Sequence, residues 1–137
     1  MAVNVSAIQF RHPAFLKVID DALNEIGFPP ASLELEITES VAMYGQAEVE
    51  QRMHALRERG IAVAIDDFGT GFSSLSYLNS LPAACLKIDR SFVNALDSDS
   101  SGARIAEMVI ELGRTLGMRV LAEGVETSDQ VQRLRAL

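Results

Sequence analysis

The sequence predicts an α/β fold, a partial TIM-like (β/α)8 barrel with about five parallel strands and flanking helices. Short runs rich in Val, Ile, Leu or Ala alternate with amphipathic helical patterns, which is typical of a parallel sheet. Polar marks recur about one βα unit apart, 32 residues from Asn4 to Glu36 and 30 from Glu36 to Asp66. Acidic residues follow several apolar runs, and α/β barrels present their site residues at the carboxyl ends of the strands.

The individual elements are predicted from these patterns in chain order. The apolar runs predict strands at residues 2–8, 33–38, 61–66, 84–89 and 118–123. Apolar residues at helical spacing, each series stopped by a glycine, predict helices at about 13–26, 46–59 and 101–116. A short helix is expected after Ser73-Ser74, and a last one begins at Thr127-Ser128-Asp129.

The length of the chain indicates one incomplete domain. A complete (β/α)8 barrel needs roughly 250 residues, and this chain has 137. We therefore expect residues 1–137 to form part of a barrel with no second domain. Strand edges that lack their barrel neighbours invite pairing with another chain, so a homo-oligomer or strand exchange is expected.

Composition restricts the possible partners and location. The net charge of −7 argues against a nucleic-acid polymer as partner, because such binding depends largely on Lys and Arg. An anionic substrate would need metal cations to offset the repulsion. No apolar run approaches the ~20 residues of a membrane span, so no membrane contact is expected. Cys85 is the single cysteine, which suits a reducing, cytoplasmic location.

The strand pattern predicts where the polar side chains meet. Alternate residues share a face, so Ala62, Ala64 and Asp66 lie on one side of their strand, with Ile61, Val63 and Ile65 on the other. The same alternation pairs Asn4 with Ser6 on the first predicted strand. It brings six polar residues from five strands to one mouth, namely Asn4, Glu36, Asp66, Lys87, Asp89 and Glu123. Clustered carboxylates repel unless they are protonated or bind cations, and these oxygen ligands suit Mg²⁺ or Mn²⁺ better than zinc.

Several motif blocks resemble the EAL-domain family of cyclic di-GMP phosphodiesterases. They are Asn4-Val5-Ser6, Glu36-Ile37-Thr38-Glu39-Ser40, residues 66–74, residues 86–93 and Ala122-Glu123-Gly124-Val125-Glu126-Thr127. The resemblance runs in the family's order over essentially the whole chain. The Glu-Ala-Leu segment that names the family and the end of the barrel would lie outside these residues, which again predicts an incomplete domain.

The resemblance implies a two-metal hydrolysis of cyclic di-GMP to linear pGpG. By resemblance, the metal ligands are Asn4, Glu36, Asp66 and Asp67. Glu123 corresponds to the general base, and Lys87 would orient the water and offset charge. Further residues correspond to the loop anchor or to other parts of the substrate site, namely Glu39, Asp89, Glu126, Gly69, Gly71 and Ser73.

Other interpretations of the same residues stay open. Taken singly, acidic residues at strand ends are most often solvated, and Asp66-Asp67 could merely cap a turn. Lys87 fits such an interpretation poorly, because a lysine in an apolar strand needs a nearby anion. The domain could also be a catalytically silent cyclic di-GMP receptor, and the isolated chain an inactive structural subdomain. Glu34 shares the inward face with Glu36, and no motif gives it a function.

Overall fold

Five parallel strands form the single sheet in the part of the chain that the structure describes. A computed structural model describes residues 1–71, 74–97 and 101–137. The strands follow the chain order β1-β2-β3-β4-β5. Their bounds are Ala2–Asn4 (β1), Glu34–Thr38 (β2), Ala62–Phe68 (β3), Cys85–Ile88 (β4) and Arg119–Ala122 (β5). All four pairings are parallel, which confirms the predicted fold class.

Helices connect consecutive strands and cover the sheet. The α-helices of the described residues are Ala7–Arg11 (α1), Phe15–Ile26 (α2), Glu39–Met43 (α3), Gln46–Glu58 (α4), Leu75–Leu78 (α5), Arg90–Asn94 (α6), Ser101–Leu116 (α7) and Ser128–Ala136 (α8). Short 3-10 turns occupy Pro30–Ser32 and Ala95–Asp97. The long helices lie close to the predicted ranges, whereas α1, α3 and α6 follow strand ends where the apolar pattern is too short to predict a helix.

The first predicted strand is wrong beyond Asn4. Ser6 lies at the N-cap of α1, where its Oγ accepts a hydrogen bond from the Gln9 backbone N–H at 3.3 Å. In return, the Ser6 backbone N–H donates to Gln9 Oε1 at 3.0 Å. This reciprocal capping box stabilises the first turn of a helix, so Asn4 and Ser6 do not share a strand face.

The outer face of the sheet forms the core. Leu35, Ile37, Val63, Ile65 and Leu86 are each at most 2% exposed. Fully buried side chains of α1 and α4 pack against this core, among them Phe10, Met53 and Leu56. The prediction that Ile61, Val63 and Ile65 face the helices is therefore confirmed. The small side chains of Ala62 and Ala64 are left for the concave inner face.

The strand register places the polar residues at the carboxyl edge. Asn4 is level with Glu36, and Thr38 with Asp66. Strand β3 runs two residues further than predicted, to Phe68, so Asp66 and Asp67 belong to the strand itself. In the described residues, no helix is both long and apolar enough to cross a membrane.

Candidate active site

The buried ammonium group of Lys87 holds three strands together at the carboxyl edge of the sheet. Its Nζ lies 2.8 Å from Glu36 Oε2, 3.2 Å from Asp66 Oδ1 and 2.5 Å from Glu123 Oε1. Glu36 comes from β2 and Asp66 from β3, and Glu123 directly follows β5. Four of the six residues predicted to meet at one mouth are thus brought together around one cation.

Strand alternation and small neighbours explain why Lys87 points inward. Its neighbours Leu86 and Ile88 are completely buried in the core, which leaves the inner face for Lys87. To reach Glu36 on β2, the side chain must pass over β3. Ala64, which is level with Glu36 in the register, leaves the space for it because its side chain is a single methyl group.

Lys87 stays charged although it is only 4% exposed. Burial alone would lower its pKa, but hydrogen bonds to Glu123, Glu36 and Asp66 raise it above the ordinary value of a lysine. A buried ammonium is stable only when anions compensate it. The cluster is therefore a permanent positive charge inside a ring of carboxylates.

Asp67 adds negative charge beside this cluster. Its pKa is raised, first by burial and then by the neighbouring carboxylates of Asp66, Asp89 and Glu123. Its backbone has φ 53°, which is uncommon outside glycine and which Asp tolerates better than most residues. Its N–H donates to Asp66 Oδ1 at 3.0 Å. The carboxylates outnumber the single ammonium, so this edge of the sheet favours a further cation.

Glu39 fixes the segment that follows β3. It is 2% exposed, and its Oε2 accepts hydrogen bonds from the backbone N–H groups of Gly69 at 2.9 Å and Gly71 at 3.2 Å. A Cβ added at Gly71 would lie 2.9 Å from Glu39 Oε1, so a side chain there would push against the carboxylate. Ser73, which was predicted to belong to this loop, lies outside the described residues, as does Phe72.

Two predicted site residues have other partners in the structure. Asp89 is the N-cap of α6, where its Oδ1 accepts hydrogen bonds from the N–H and the hydroxyl of Ser91. These bonds lower the pKa of Asp89. Glu126 forms an exposed ion pair with Arg90. Neither carboxylate contacts Lys87, although Asp89 is among the carboxylates that raise the pKa of Asp67.

Arg90 lies near the site, and the motif block of residues 86–93 that contains it gives it no role of its own. Its aliphatic stem packs on Gly124, where a Cβ would lie 2.5 Å from Arg90 Cγ and where φ is 67°. Together with the Glu126 pair, this contact fixes the segment that carries Glu123. The neighbouring Gln130 is 3% exposed, and its Oε1 accepts from the N–H groups of Glu126 and Thr127.

The donor set fits a hard divalent cation. The predicted ligands Glu36, Asp66 and Asp67 offer carboxylate oxygens at one edge, and Asn4 lies level with Glu36 on the next strand. Oxygen ligands of this type suit Mg²⁺ or Mn²⁺. In the described residues, no three acidic, His or Cys side chains form a finished metal cage, because the carboxylates converge on Lys87 Nζ instead. The carboxylates of Asp66, Asp89 and Glu123 contribute, after burial, to the raised pKa of Asp67.

Comparison with known proteins identifies relatives over the whole chain. The family profile described as EAL domain matches residues 1–137. The bifunctional diguanylate cyclase/cyclic di-GMP phosphodiesterase MucR of Pseudomonas aeruginosa is 45% identical over 137 residues, which is 100% of this chain and 20% of MucR. The chain thus spans about a fifth of the length of the curated relatives that it matches.

Solved structures show the same arrangement of elements. The MucR phosphodiesterase in complex with cyclic di-GMP superposes with a TM-score of 0.95 at 45% identity, covering 98% of this chain and 55% of that one. The manganese and cyclic di-GMP complex of Klebsiella pneumoniae BlrP1 gives a TM-score of 0.85 at 30% identity, covering 98% of this chain and 35% of that one.

Proposed function

This chain belongs to the EAL-domain family, and on that premise we propose that its domain is a metal-dependent phosphodiesterase that hydrolyses cyclic di-GMP to linear pGpG. One observation carries the proposal. Lys87 Nζ joins Glu36, Asp66 and Glu123 from three strands at the carboxyl edge of the sheet. The two solved relatives described above are complexes with cyclic di-GMP, which supports this substrate.

The chemistry needs cations because an anionic phosphodiester must be attacked by an oxygen nucleophile. Asn4, Glu36, Asp66 and Asp67 are the residues that would hold two divalent ions, Mg²⁺ or Mn²⁺. When bound, such ions supply an activated water and offset the charge of the phosphate. The manganese complex of BlrP1 supports a divalent cation at this type of site.

Glu123 would handle the proton of the attacking water, and Lys87 would act through its fixed charge. Glu123 would accept the proton of the attacking water as the water oxygen bonds to phosphorus. The phosphorus bond to the ribose O3′ then breaks, and O3′ takes the electron pair and a proton from solvent to become a hydroxyl. The ring is thereby opened, which leaves a linear dinucleotide with a 5′-phosphate. Lys87 keeps the Glu123 carboxylate oriented through its 2.5 Å contact and places a fixed positive charge beside the reacting phosphate. Glu39 acts at a distance by holding the Gly69–Gly71 segment next to Asp67.

Self-association belongs to the same proposal. β1 and β5 are the edge strands of the described sheet, and Val3 and Leu121 on them are 39% and 49% exposed. Unpaired strand edges with exposed apolar side chains favour pairing with another chain. Light scattering coupled to size-exclusion chromatography should show a dimer or larger species, and a purely monomeric chain over the micromolar range would contradict this part of the proposal.

A segment exchange tests the activity directly. Residues 1–137 replace the matching segment of the MucR phosphodiesterase, which their TM-score of 0.95 makes structurally reasonable. The chimera is incubated with cyclic di-GMP and Mn²⁺, and the products are separated by chromatography. We expect pGpG, and we expect Glu123→Gln to lower kcat by about 10²- to 10⁴-fold, the usual contribution of a general base.

The controls separate the proposal from its alternatives. Glu107→Gln changes an exposed carboxylate on α7 and should leave turnover unchanged. A folded chimera that binds cyclic di-GMP without turning it over would overturn the proposed activity in favour of a receptor. A folded chimera that neither binds nor cleaves the dinucleotide would favour a structural subdomain.

A further inference from the structure

An ion pair crosses the concave face of the sheet below the Lys87 cluster. Arg119 Nη2, on the first residue of β5, contacts Glu34 Oε2 on the first residue of β2. Two strands, β3 and β4, lie between these partners in the sheet. Sequence patterns leave Glu34 without a function, and this contact shows which side chain it pairs with.

Curvature of the sheet favours this pair. In a flat sheet, β2 and β5 would be three inter-strand spacings apart, about 14 Å at ~4.8 Å each. Side chains stand roughly perpendicular to a sheet, so an arginine and a glutamate on a flat sheet would have to lie down fully extended to meet across that span. Curvature of the sheet turns the two inner faces toward each other and shortens the distance. The residues of β3 and β4 that lie level with the two partners are small: Ala62 is level with Glu34, and Cys85 with Arg119.

The Glu34–Arg119 pair joins the two strands that carry opposite sides of the candidate site. Glu34 and Glu36 are two residues apart on β2, and Arg119 and Glu123 are four residues apart along β5 and its end. Each pair therefore shares the inner face of its strand. Moving β5 away from β2 would move Glu123 away from Glu36.

The inner face of β5 is held at its carboxyl end by the Lys87–Glu123 contact, whereas its first residues have few other inner contacts. It pairs with β4 over four residues, and the ladder ends where the Glu123 N–H donates to Ile88 O at 3.2 Å. On its outer face, Val120 packs against Gly113 of α7. The inner face carries Leu121, which is half exposed, and Arg119.

We propose that Glu34 and Arg119 form a strut that positions β5, and with it Glu123, against β2. The pair is a positioning pair, not a catalytic one, and its relevance to catalysis rests on the proposed function. The opposing interpretation is an ordinary solvated ion pair, since the side chains are 69% (Arg119) and 21% (Glu34) exposed. Such pairs usually contribute little to the free energy of unfolding, so the test needs a measurement that reports on β5 alone.

Amide hydrogen exchange, followed residue by residue by NMR on the 137-residue chain, provides that measurement. Arg119→Met and Glu34→Gln each remove the pair without removing the bulk of the side chain. We expect the amides of Val120 to Glu123 to exchange about fivefold faster in either variant. This is what an exposed ion pair at the upper end of the usual range, about 1 kcal/mol, would add to a local opening equilibrium.

Charge reversal and a control variant make the result specific. Glu34→Arg combined with Arg119→Glu restores the attraction with opposite signs, and exchange should return to within twofold of the native rate, about the noise of the comparison. Lys17→Met breaks the exposed Lys17–Asp21 pair on α2 and should leave β5 exchange unchanged. A general loss of stability would instead accelerate exchange throughout the sheet.

Two outcomes would overturn the strut. Unchanged exchange in the single variants would show that the pair does not hold β5, and failure of the charge reversal to restore the rate would show that attraction is not the cause. Failure of the proposed function is a separate result, because it is measured by turnover of the chimera and not by hydrogen exchange.

Discussion

Removing the Glu39 carboxylate should release the segment after β3. The side chain is 2% exposed, and one of its oxygens accepts both the Gly69 and Gly71 N–H groups. Glu39→Gln keeps the shape and a neutral acceptor, whereas Glu39→Ala removes the acceptor altogether. Comparing the two variants therefore separates the effect of the carboxylate charge from the effect of having any hydrogen-bond acceptor at this position.

The contacts set the size of the effect. Each hydrogen bond to a charged group contributes about 1.5–3 kcal/mol, which gives about 3–6 kcal/mol for two. Gly69 is half buried and Gly71 is exposed, so water can replace part of the loss. We therefore expect Glu39→Ala to lower the free energy of unfolding by about 3 kcal/mol, the lower end of that range. Glu39→Gln should cost about half as much, because neutral bonds are roughly half as strong.

Urea unfolding measured by circular dichroism gives these free energies, and Glu48→Gln serves as the control. Glu48 is an exposed carboxylate on α4 that pairs with Arg52, and its loss should cost at most ~1 kcal/mol. Equal losses for Glu39→Gln and Glu39→Ala would refute the role of the paired amides, since only the alanine variant leaves them without an acceptor. A loss below ~1 kcal/mol for both would refute the anchoring itself.

Four further outcomes are expected. Asp67→Asn should raise the melting temperature in EDTA near neutral pH. Because the pKa of Asp67 is raised in the folded state, its ionised form lowers the stability of the fold above its unfolded pKa. The gain in melting temperature should therefore vanish as the pH falls below about 4, where Asp67 is protonated in both states. A gain that does not depend on pH would contradict this. Lys87→Met should cost about 3–5 kcal/mol in urea unfolding, because it leaves buried carboxylates without their cation; a loss under ~1 kcal/mol would contradict the cluster. Gly113→Ala should destabilise the chain by about 1–2 kcal/mol although alanine favours helices by ~1 kcal/mol, since the new Cβ would lie 2.2 Å from Val120 Cγ2; a more stable variant would show that α7 shifts freely. Mn²⁺ should raise the melting temperature, and Asp66→Asn should abolish that rise; an equal rise in the variant would place the metal elsewhere.

Much of the architecture could be predicted from the sequence because the signals are local and repeated. The apolar runs and the glycines that end the helices fix the order of elements, and strand alternation places Ala62, Ala64 and Asp66 on the inner face. The same alternation anticipates that Glu36, Asp66, Lys87 and Glu123 meet. A lysine in an apolar strand is the strongest single signal, because burying its charge requires anions nearby.

The apolar pattern misses the local polar partners of side chains at helix starts. The alternation of side chains predicts that Ser6 lies in a strand, but its hydroxyl forms the N-cap of α1 in a capping box with Gln9. Asp89 has the inward parity of Lys87, yet it caps α6 through Ser91. In both cases, a free backbone N–H at a helix start competes with the strand pattern, and apolar periodicity does not report such polar partners.

Contacts between side chains of distant strands also could not be predicted from the sequence. The Glu34–Arg119 pair joins residues 85 positions apart, and it depends on how strongly the sheet curls. The packing of Arg90 on Gly124 depends on a positive φ that the sequence permits but does not require. Both are properties of the assembled sheet.

We propose that this chain supplies the metal ligands and the general base of a cyclic di-GMP phosphodiesterase. Turnover by the chimera that carries residues 1–137, measured with Mn²⁺, with EDTA and with Glu123→Gln, tests this most directly. The account predicts pGpG in Mn²⁺ alone, with product lost in EDTA and strongly reduced by the substitution. Equal turnover by the native and Glu123→Gln chimeras, or turnover that persists in EDTA, would contradict it.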